Sequence, residues 1–313
     1  MNICNSVTKY KLKLLFAFLL LLFLDKQLIA SPQVPDYIIY NGDTIPTYNL
    51  ILEKYLQKKN PNSDKLFGLS FGNLLPLEDE DFNMGITVNC WRGYQAIYKI
   101  DNDSLFLSNI IECQSIRKLD KELSNKNLFA LFGNHVKNDR VFIDWYSGEI
   151  SFPQKVQNEI IRWDGVFENI FLFETLIKID NGRIKSIKAI QNYIDAPNRI
   201  NRKQNDTISN VLFERIKNHK WKKTDKFFCS ERYIVRINKK GKVDNIEIDL
   251  PKEERKEFDL FEKREYRYCT SSMKKALRGL KFDIINRRGK AIEEYVYIEI
   301  WLEDDGSIEN WTH

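Results

Sequence analysis

The sequence predicts an α+β protein, with a mainly β N-terminal domain followed by a small sheet-and-helix module. Three observations lead there. Apolar residues alternate with period two along most of the chain, and turn-forming pairs such as Asn-Gly and Lys-Gly punctuate the alternation. Helical spacing of apolar residues is confined to a few short stretches. Hydrophobic residues make up 43% of the chain, enough to give two domains their own cores.

The N-terminus carries an export signature. Lys9, Lys11 and Lys13 precede the eleven apolar residues Leu14–Leu24, and Asp25-Lys26 ends the run. That length suits the hydrophobic region of a signal peptide, whereas a spanning helix needs about 20 residues. Ala30, with Leu28 two positions before it, marks a cleavage site ahead of Ser31, so residues 1–30 are read as a signal peptide. The expectation is an exported protein without a stable membrane span after cleavage. Lys9, Lys11, Lys13, Lys26 and Asp25 leave with the peptide, which lowers the net charge from +5 to +2. A near-neutral chain gives no electrostatic reason to expect a nucleic-acid partner.

Residues 31–194 read as the mainly β domain. Asp36–Tyr40 runs into Asn41-Gly42, and Ile45–Lys58 is expected to form a helix with Leu50, Leu52, Tyr55 and Leu56 inward. Trp91–Ile100 and Leu105–Glu112 flank a turn at Asp101–Ser104, and Phe171–Ile179 and Arg183–Ile190 flank Asn181-Gly182. Residues 195–207 contain Pro197 and clustered Asn, Arg and Lys without an apolar period, and form the predicted linker. The basic clusters Arg199–Lys203 and Lys217–Lys226 are read as solvated faces or linkers.

Residues 208–313 form the second domain. Thr207 caps a helix whose inner face holds Ile208, Val211, Leu212 and Ile216. Arg232–Asn238 and Val243–Asp249 alternate around a two-residue Lys240-Gly241 turn. In that register Tyr233, Val235 and Ile237 oppose Ile248, Ile246 and Asp244. A charged loop at Pro251–Arg267 follows, and Met273, Ala276, Leu277 and Leu280 recur at helical spacing to cover the sheet. The last strand, Glu294–Leu302, carries Val296, Ile298, Ile300 and Leu302 on one face and Tyr295, Tyr297, Glu299 and Trp301 on the other.

This succession of strand, Lys-Gly turn, strand, helix, Gly289 and a long apolar strand resembles the C-terminal domain of TonB-type energy transducers. The resemblance implies a sheet that accepts a peptide strand from a protein partner. A Pro-rich spacer of the TonB kind does not appear, so what carries over is the module rather than energy coupling. The motifs Cys90-Trp91-Arg92-Gly93-Tyr94 and Asp144-Trp145-Tyr146-Ser147-Gly148, with that tail, are similar to an uncharacterised family of secreted Gram-negative envelope proteins. That likeness implies a periplasmic or envelope location and brings no activity with it.

Cys90, Cys113, Cys229 and Cys269 remain after export, and four cysteines in an oxidising compartment allow three pairings. Proximity along the chain favours Cys90–Cys113 and Cys229–Cys269. With Ile100 opposite Leu105, Cys113 falls opposite Arg92, so joining it to Cys90 needs a bulge or a frayed end. No cofactor or metal site is expected, because no close cysteine pair exists and His135, His219 and His313 stand alone.

No catalytic residue is assigned. Ser147 lacks a G-x-S-x-G turn, and the acidic run Glu78–Asp81 sits in a loop. The functional expectation is a non-catalytic envelope protein that binds a protein or peptide by strand addition, with Tyr295, Tyr297 and Trp301 gripping the ligand. The alternative is an envelope enzyme or carbohydrate-binding protein that uses Trp91, Arg92, Asp144 and Trp145. In the plainer reading these aromatics fill a core, with Arg92 paired to Asp144 at its rim.

Overall fold

The structure is a computed structural model that describes residues 32–61, 65–66, 69–70, 86–113, 121–155, 159–203, 205–221 and 226–312. The signal segment, the Glu78–Asp81 run and residues 222–225 of the second basic cluster lie outside the described residues. The architecture is α+β and mainly β. Among the described residues no helix is long and apolar enough to cross a membrane.

In the first half, β1 (Asp36–Tyr40) and β2 (Asp43–Thr47) form a hairpin over Asn41-Gly42. Its two turn residues have φ of 51° and 84°, and Asn102-Asp103, Asn138-Asp139 and Asn181-Gly182 repeat the device with positive φ throughout. Asparagine tolerates the left-handed region, and two such residues match the twist of the flanking strands. Gly182 is further constrained, since a Cβ there would lie 2.4 Å from the Ile143 carbonyl oxygen.

Helix α1 (Ile51–Lys59) begins six residues later than the sequence suggests. Ile45 and Pro46 belong instead to β2, an edge strand, which tolerates the missing proline N–H that a helix interior would not. A short pair, β3 (Lys65–Leu66) with β4 (Leu69–Ser70), precedes the long hairpin of β5 (Tyr94–Asp101) and β6 (Ser104–Glu112). Helix α2 (Lys121–Phe132) leads to β7 (Val136–Lys137), β8 (Arg140–Phe142) and β9 (Gly148–Pro153). Then come β10 (Ile160–Trp163) with β11 (Asn169–Phe171), and β12 (Phe173–Asp180) with β13 (Arg183–Gln191).

The main sheet runs β2-β1-β5-β6-β13-β12-β9, with β7 and β8 attached through β6. It curls until its two ends meet. There Asn49 imitates a strand: its Nδ2 donates to Ser151 O (2.6 Å) and its Oδ1 accepts from Ser151 N–H (3.2 Å). Inside lie Ile38, Ile51, Leu52, Leu56, Leu105, Ile150 and Ile177, all buried. Each such side chain stabilises the fold by about 1.5–3 kcal/mol relative to exposure.

The second half has its own core. Helix α3 (Asn205–Lys217) buries Ile208, Leu212 and Ile216, and it starts early enough to place Thr207 inside its first turn rather than at the cap. The second sheet runs β16-β15-β19-β20, from β15 (Arg232–Ile237), β16 (Val243–Ile248), β19 (Glu294–Leu302) and β20 (Ile308–Asn310). Tyr233 opposes Ile248 and Val235 opposes Ile246 as the alternation predicts, but Ile237 opposes Val243 rather than Asp244. The cause is the turn. Asn238 N–H donates to Lys242 O at 2.9 Å, which leaves a three-residue loop, and a bulge restores the register beyond it.

The charged stretch after β16 is helical rather than a loop. It holds α4 (Lys252–Glu257) and α5 (Leu260–Ala276), and α5 starts at a capping box in which Asp259 accepts from Glu262 N–H and Glu262 accepts from Asp259 N–H. Cys269 and Met273 of α5, followed by Leu277, are fully buried against the sheet.

Both disulfides are present. Cys90–Cys113 spans 6.2 Å between Cα atoms and Cys229–Cys269 spans 5.4 Å. A bulge beside Ile97 places Glu112 opposite Tyr94, so Cys113 comes to lie beyond the last paired residue. A turn closed by Gly93 N–H to Cys90 O (3.2 Å) folds Cys90 back to meet it.

The two halves are tied through the predicted linker. Strand β14 (Tyr193–Ile194) pairs with β17 (Ile284–Arg287), which forms a hairpin with β18 (Lys290–Ala291). Ala196 N–H donates to Asp283 (3.3 Å), and Ile200 bridges Phe282. Arg202, expected in a solvated basic cluster, is instead fully buried. Its Nη1 donates to Asp283 O (3.2 Å), and its Nη2 lies 3.2 Å from a Glu294 carboxylate oxygen.

Candidate interaction surface

Strand β19 presents two different faces. Ile298, Ile300 and Leu302 are buried beneath the sheet, while Tyr295 and Tyr297 are each 52% exposed and Trp301 is 36% exposed. The alternation of the sequence dictates this split, because successive strand residues point to opposite faces. Trp301 extends the aromatic surface sideways, with Phe228 edge-on at 5.4 Å and Trp311 stacked at 5.1 Å. Phe228 and Trp311 are themselves exposed, and neither was singled out from the sequence. Their positions just outside the β15 and β20 strands carry no periodic signal.

The edge of β19 is covered over part of its length. Ile300 N–H donates to Glu231 O (3.2 Å), so even-numbered residues turn their backbone groups toward β15 and odd-numbered ones turn outward. On the outer side β20 pairs with Ile300–Leu302. Glu299 is sealed as well: its N–H donates to Thr312 Oγ1 (2.9 Å) and its C=O accepts from Trp311 N–H (2.9 Å). Tyr295 and Tyr297 precede that cover. Among the described residues, no strand pairs with their outer side.

At its start β19 is clamped by the first half. Arg162 of β10 forms a two-point contact with the Glu294 carboxylate, Nη2 donating to Oε2 at 3.1 Å, while Arg202 approaches the same group. Burial lowers the Arg202 pKa, opposed by Glu294 and reinforced by Arg162. Beside this clamp a cleft of about 720 Å³ is floored by Trp163, Ile170 and Ile292. Arg162, Lys239, Arg287 and Lys290 on its walls are balanced by Asp164, Glu168, Glu293 and Glu294, so the cleft favours neither charge sign.

The aromatic motifs of the first half lie apart. Trp91 packs against the buried cluster of Leu69, Val166 and Phe167, whereas Trp145 stacks on Phe132 at 5.2 Å and lies 4.7 Å from Tyr55. Asp144 is exposed and does not pair with Arg92. Arg92 is buried against Asp36 instead, its Nη1 3.0 Å from Oδ1 and its Nη2 donating to Val34 O (3.1 Å). Asp36 also accepts from Ala96 N–H (3.0 Å) and Tyr98 OH (3.1 Å), and Tyr94 OH donates to Glu53 (2.5 Å). Burial would lower the Arg92 pKa, but Asp36 and its neighbours outweigh it and hold the guanidinium charged. Burial, then Glu53, pushes Tyr94 well up, which keeps it a neutral donor. A partner 56 positions away cannot be read from spacing, and Asp36 looked like an ordinary strand end.

Among the described residues no three His, Cys, Asp or Glu side chains gather to hold a metal ion. Comparison with protein-family models, curated proteins and solved structures returns no match.

Proposed function

We propose that this chain is an exported, non-catalytic envelope protein that binds an extended protein or peptide segment at the outer edge of β19. The observation that carries the reading is the coincidence, at Tyr295–Tyr297, of a strand edge with no strand partner among the described residues and exposed aromatic side chains. An incoming strand there gains backbone hydrogen bonds, and Tyr297 and Trp301 supply flat contact area for its side chains. Two disulfides support residence in an oxidising compartment, as the signal-like N-terminus does. The TonB-like order of elements supports the same use of the sheet.

The test uses a displayed library of random peptides panned on the purified protein, with titration of the selected peptides. The expected outcome is enrichment of extended, β-branched or aromatic sequences whose affinity falls at least about tenfold in Trp301→Ala, as for an interfacial anchor residue. Affinity unchanged by that substitution removes Trp301 from the site.

A further inference from the structure

Helix α5 turns a basic face away from the molecule. Lys263, Arg264, Arg267, Lys274, Lys275 and, just past the helix end, Arg278 recur at helical spacing along one side, and all are exposed. Among the described residues none of them has a carboxylate at salt-bridge distance. The acids of the helix are engaged elsewhere, Glu262 in the capping box and Glu265 as acceptor of the Phe228 N–H (2.7 Å). The first half of this stripe does not serve the helix. Lys263 and Arg267 lie four apart and Arg264 and Arg267 three apart, spacings that set like charges side by side at a cost. Lys263 and Arg264 also sit near the N-terminal end, where the macrodipole favours acids. At that same end Leu260, in line with Arg264 and Arg267, is 76% exposed, and its neighbour Phe261 is 54% exposed. The opposite face of α5 is committed to the core through Cys269 and Met273, with Cys269 bonded to Cys229, so the helix cannot roll this side inward.

We propose that this face docks on an anionic phospholipid bilayer, with the cations against the headgroups and Leu260 and Phe261 entering the interface. Negatively charged headgroups supply the counter-charge that the stripe lacks within the chain. Apolar side chains beside cations are the pattern by which interfacial helices hold to lipid. A soluble polyanion such as nucleic acid would answer the charge but leave Leu260 and Phe261 in water. Helix α5 packs on the buried face of the second sheet, so the docking face and the Tyr295–Tyr297 side look in opposite directions. The β19 edge therefore stays open on a membrane-bound molecule, and the docking does not depend on what that edge binds.

Co-sedimentation with vesicles tests this, using the processed protein without residues 1–30, whose apolar run would itself bind lipid. The expected result is binding to phosphatidylcholine vesicles that contain about 30% phosphatidylglycerol, little binding to phosphatidylcholine alone, and weakening as salt rises. Each cation near the surface contributes about fivefold, so Arg264→Gln with Arg267→Gln should weaken binding at least about tenfold. Leu260→Ser with Phe261→Ser should do the same by removing the inserted apolar groups. All four side chains are exposed, so both variants should keep the fold, which circular dichroism checks. Absence of binding to either vesicle, equal binding to both compositions, or a double variant that binds like the wild type would each overturn the proposal. Retention on a DNA duplex with none on vesicles would also overturn it, and would assign the stripe to a soluble polyanion.

Discussion

Arg162 and Glu294 join the two halves of the molecule at the first residue of the candidate docking strand, with Arg162 Nη2 3.1 Å from Glu294 Oε2. Both side chains are largely buried, and the fully buried Arg202 shares the carboxylate. Glu294→Gln would leave two guanidinium groups without a counter-charge, which should cost about 3–5 kcal/mol. Urea unfolding of wild type and variant measures it. A loss below about 1 kcal/mol would mean that the clamp behaves as a surface pair.

A second buried pair sits at Asp36 and Arg92. Asp36→Asn should destabilise by about 3–5 kcal/mol, because Arg92 would stay charged in a site closed to water. Asp144→Asn should stay within about 0.5 kcal/mol, as expected of an exposed side chain away from such features. Equal effects in the two variants would contradict the assignment of Asp36 as the partner.

Glu174 provides a pH signature. Burial raises its pKa above 4.5, opposed by the Phe171 N–H it accepts. A raised carboxyl pKa means that the folded state favours the protonated form, so stability from this group is full below its unfolded pKa and is lost as pH rises through the folded value. Glu174→Gln should therefore stabilise the protein at neutral pH, with the gain shrinking toward pH about 4. Unfolding curves across that interval decide it. A gain that grows on acidification would reverse the sign.

The disulfides close loops of 23 and 40 residues. The loop-entropy estimate assigns each about 3–4 kcal/mol. Thiol labelling of unreduced, denatured protein should find none of Cys90, Cys113, Cys229 and Cys269 reactive. Serine at either member of a pair should lower the unfolding midpoint.

Much of the second sheet was legible in the chain. The alternation in Arg232–Ile237 and Glu294–Leu302 set which residues lie inward, because strand periodicity is local and one face must be buried. The turns at Asn41-Gly42 and Asn181-Gly182 were legible for the same local reason. The capping box at Asp259–Glu262 was also in the sequence, but the density of charge around it masked the helix. Long-range partners were not legible: Asp36 for Arg92, Glu294 for Arg162, and Thr312 for Glu299 are all chosen by the tertiary fold. That last contact bears on function, since the outward N–H of Glu299 is already taken and the outward donors with no strand partner among the described residues lie at Tyr295 and Tyr297, Tyr297 being the nearer to Trp301.

Tyr297→Pro is thus the most direct test of strand addition. Proline there removes one outward N–H and leaves the even-numbered ladder to β15 intact. The measurement is the affinity of a library-selected peptide for the wild type and for this variant, with circular dichroism confirming that the variant is folded. Strand addition at β19 predicts a loss of at least about tenfold, the worth of one interfacial hydrogen bond with its desolvated partner. Equal affinity in a folded Tyr297→Pro variant would contradict it and move the binding site elsewhere.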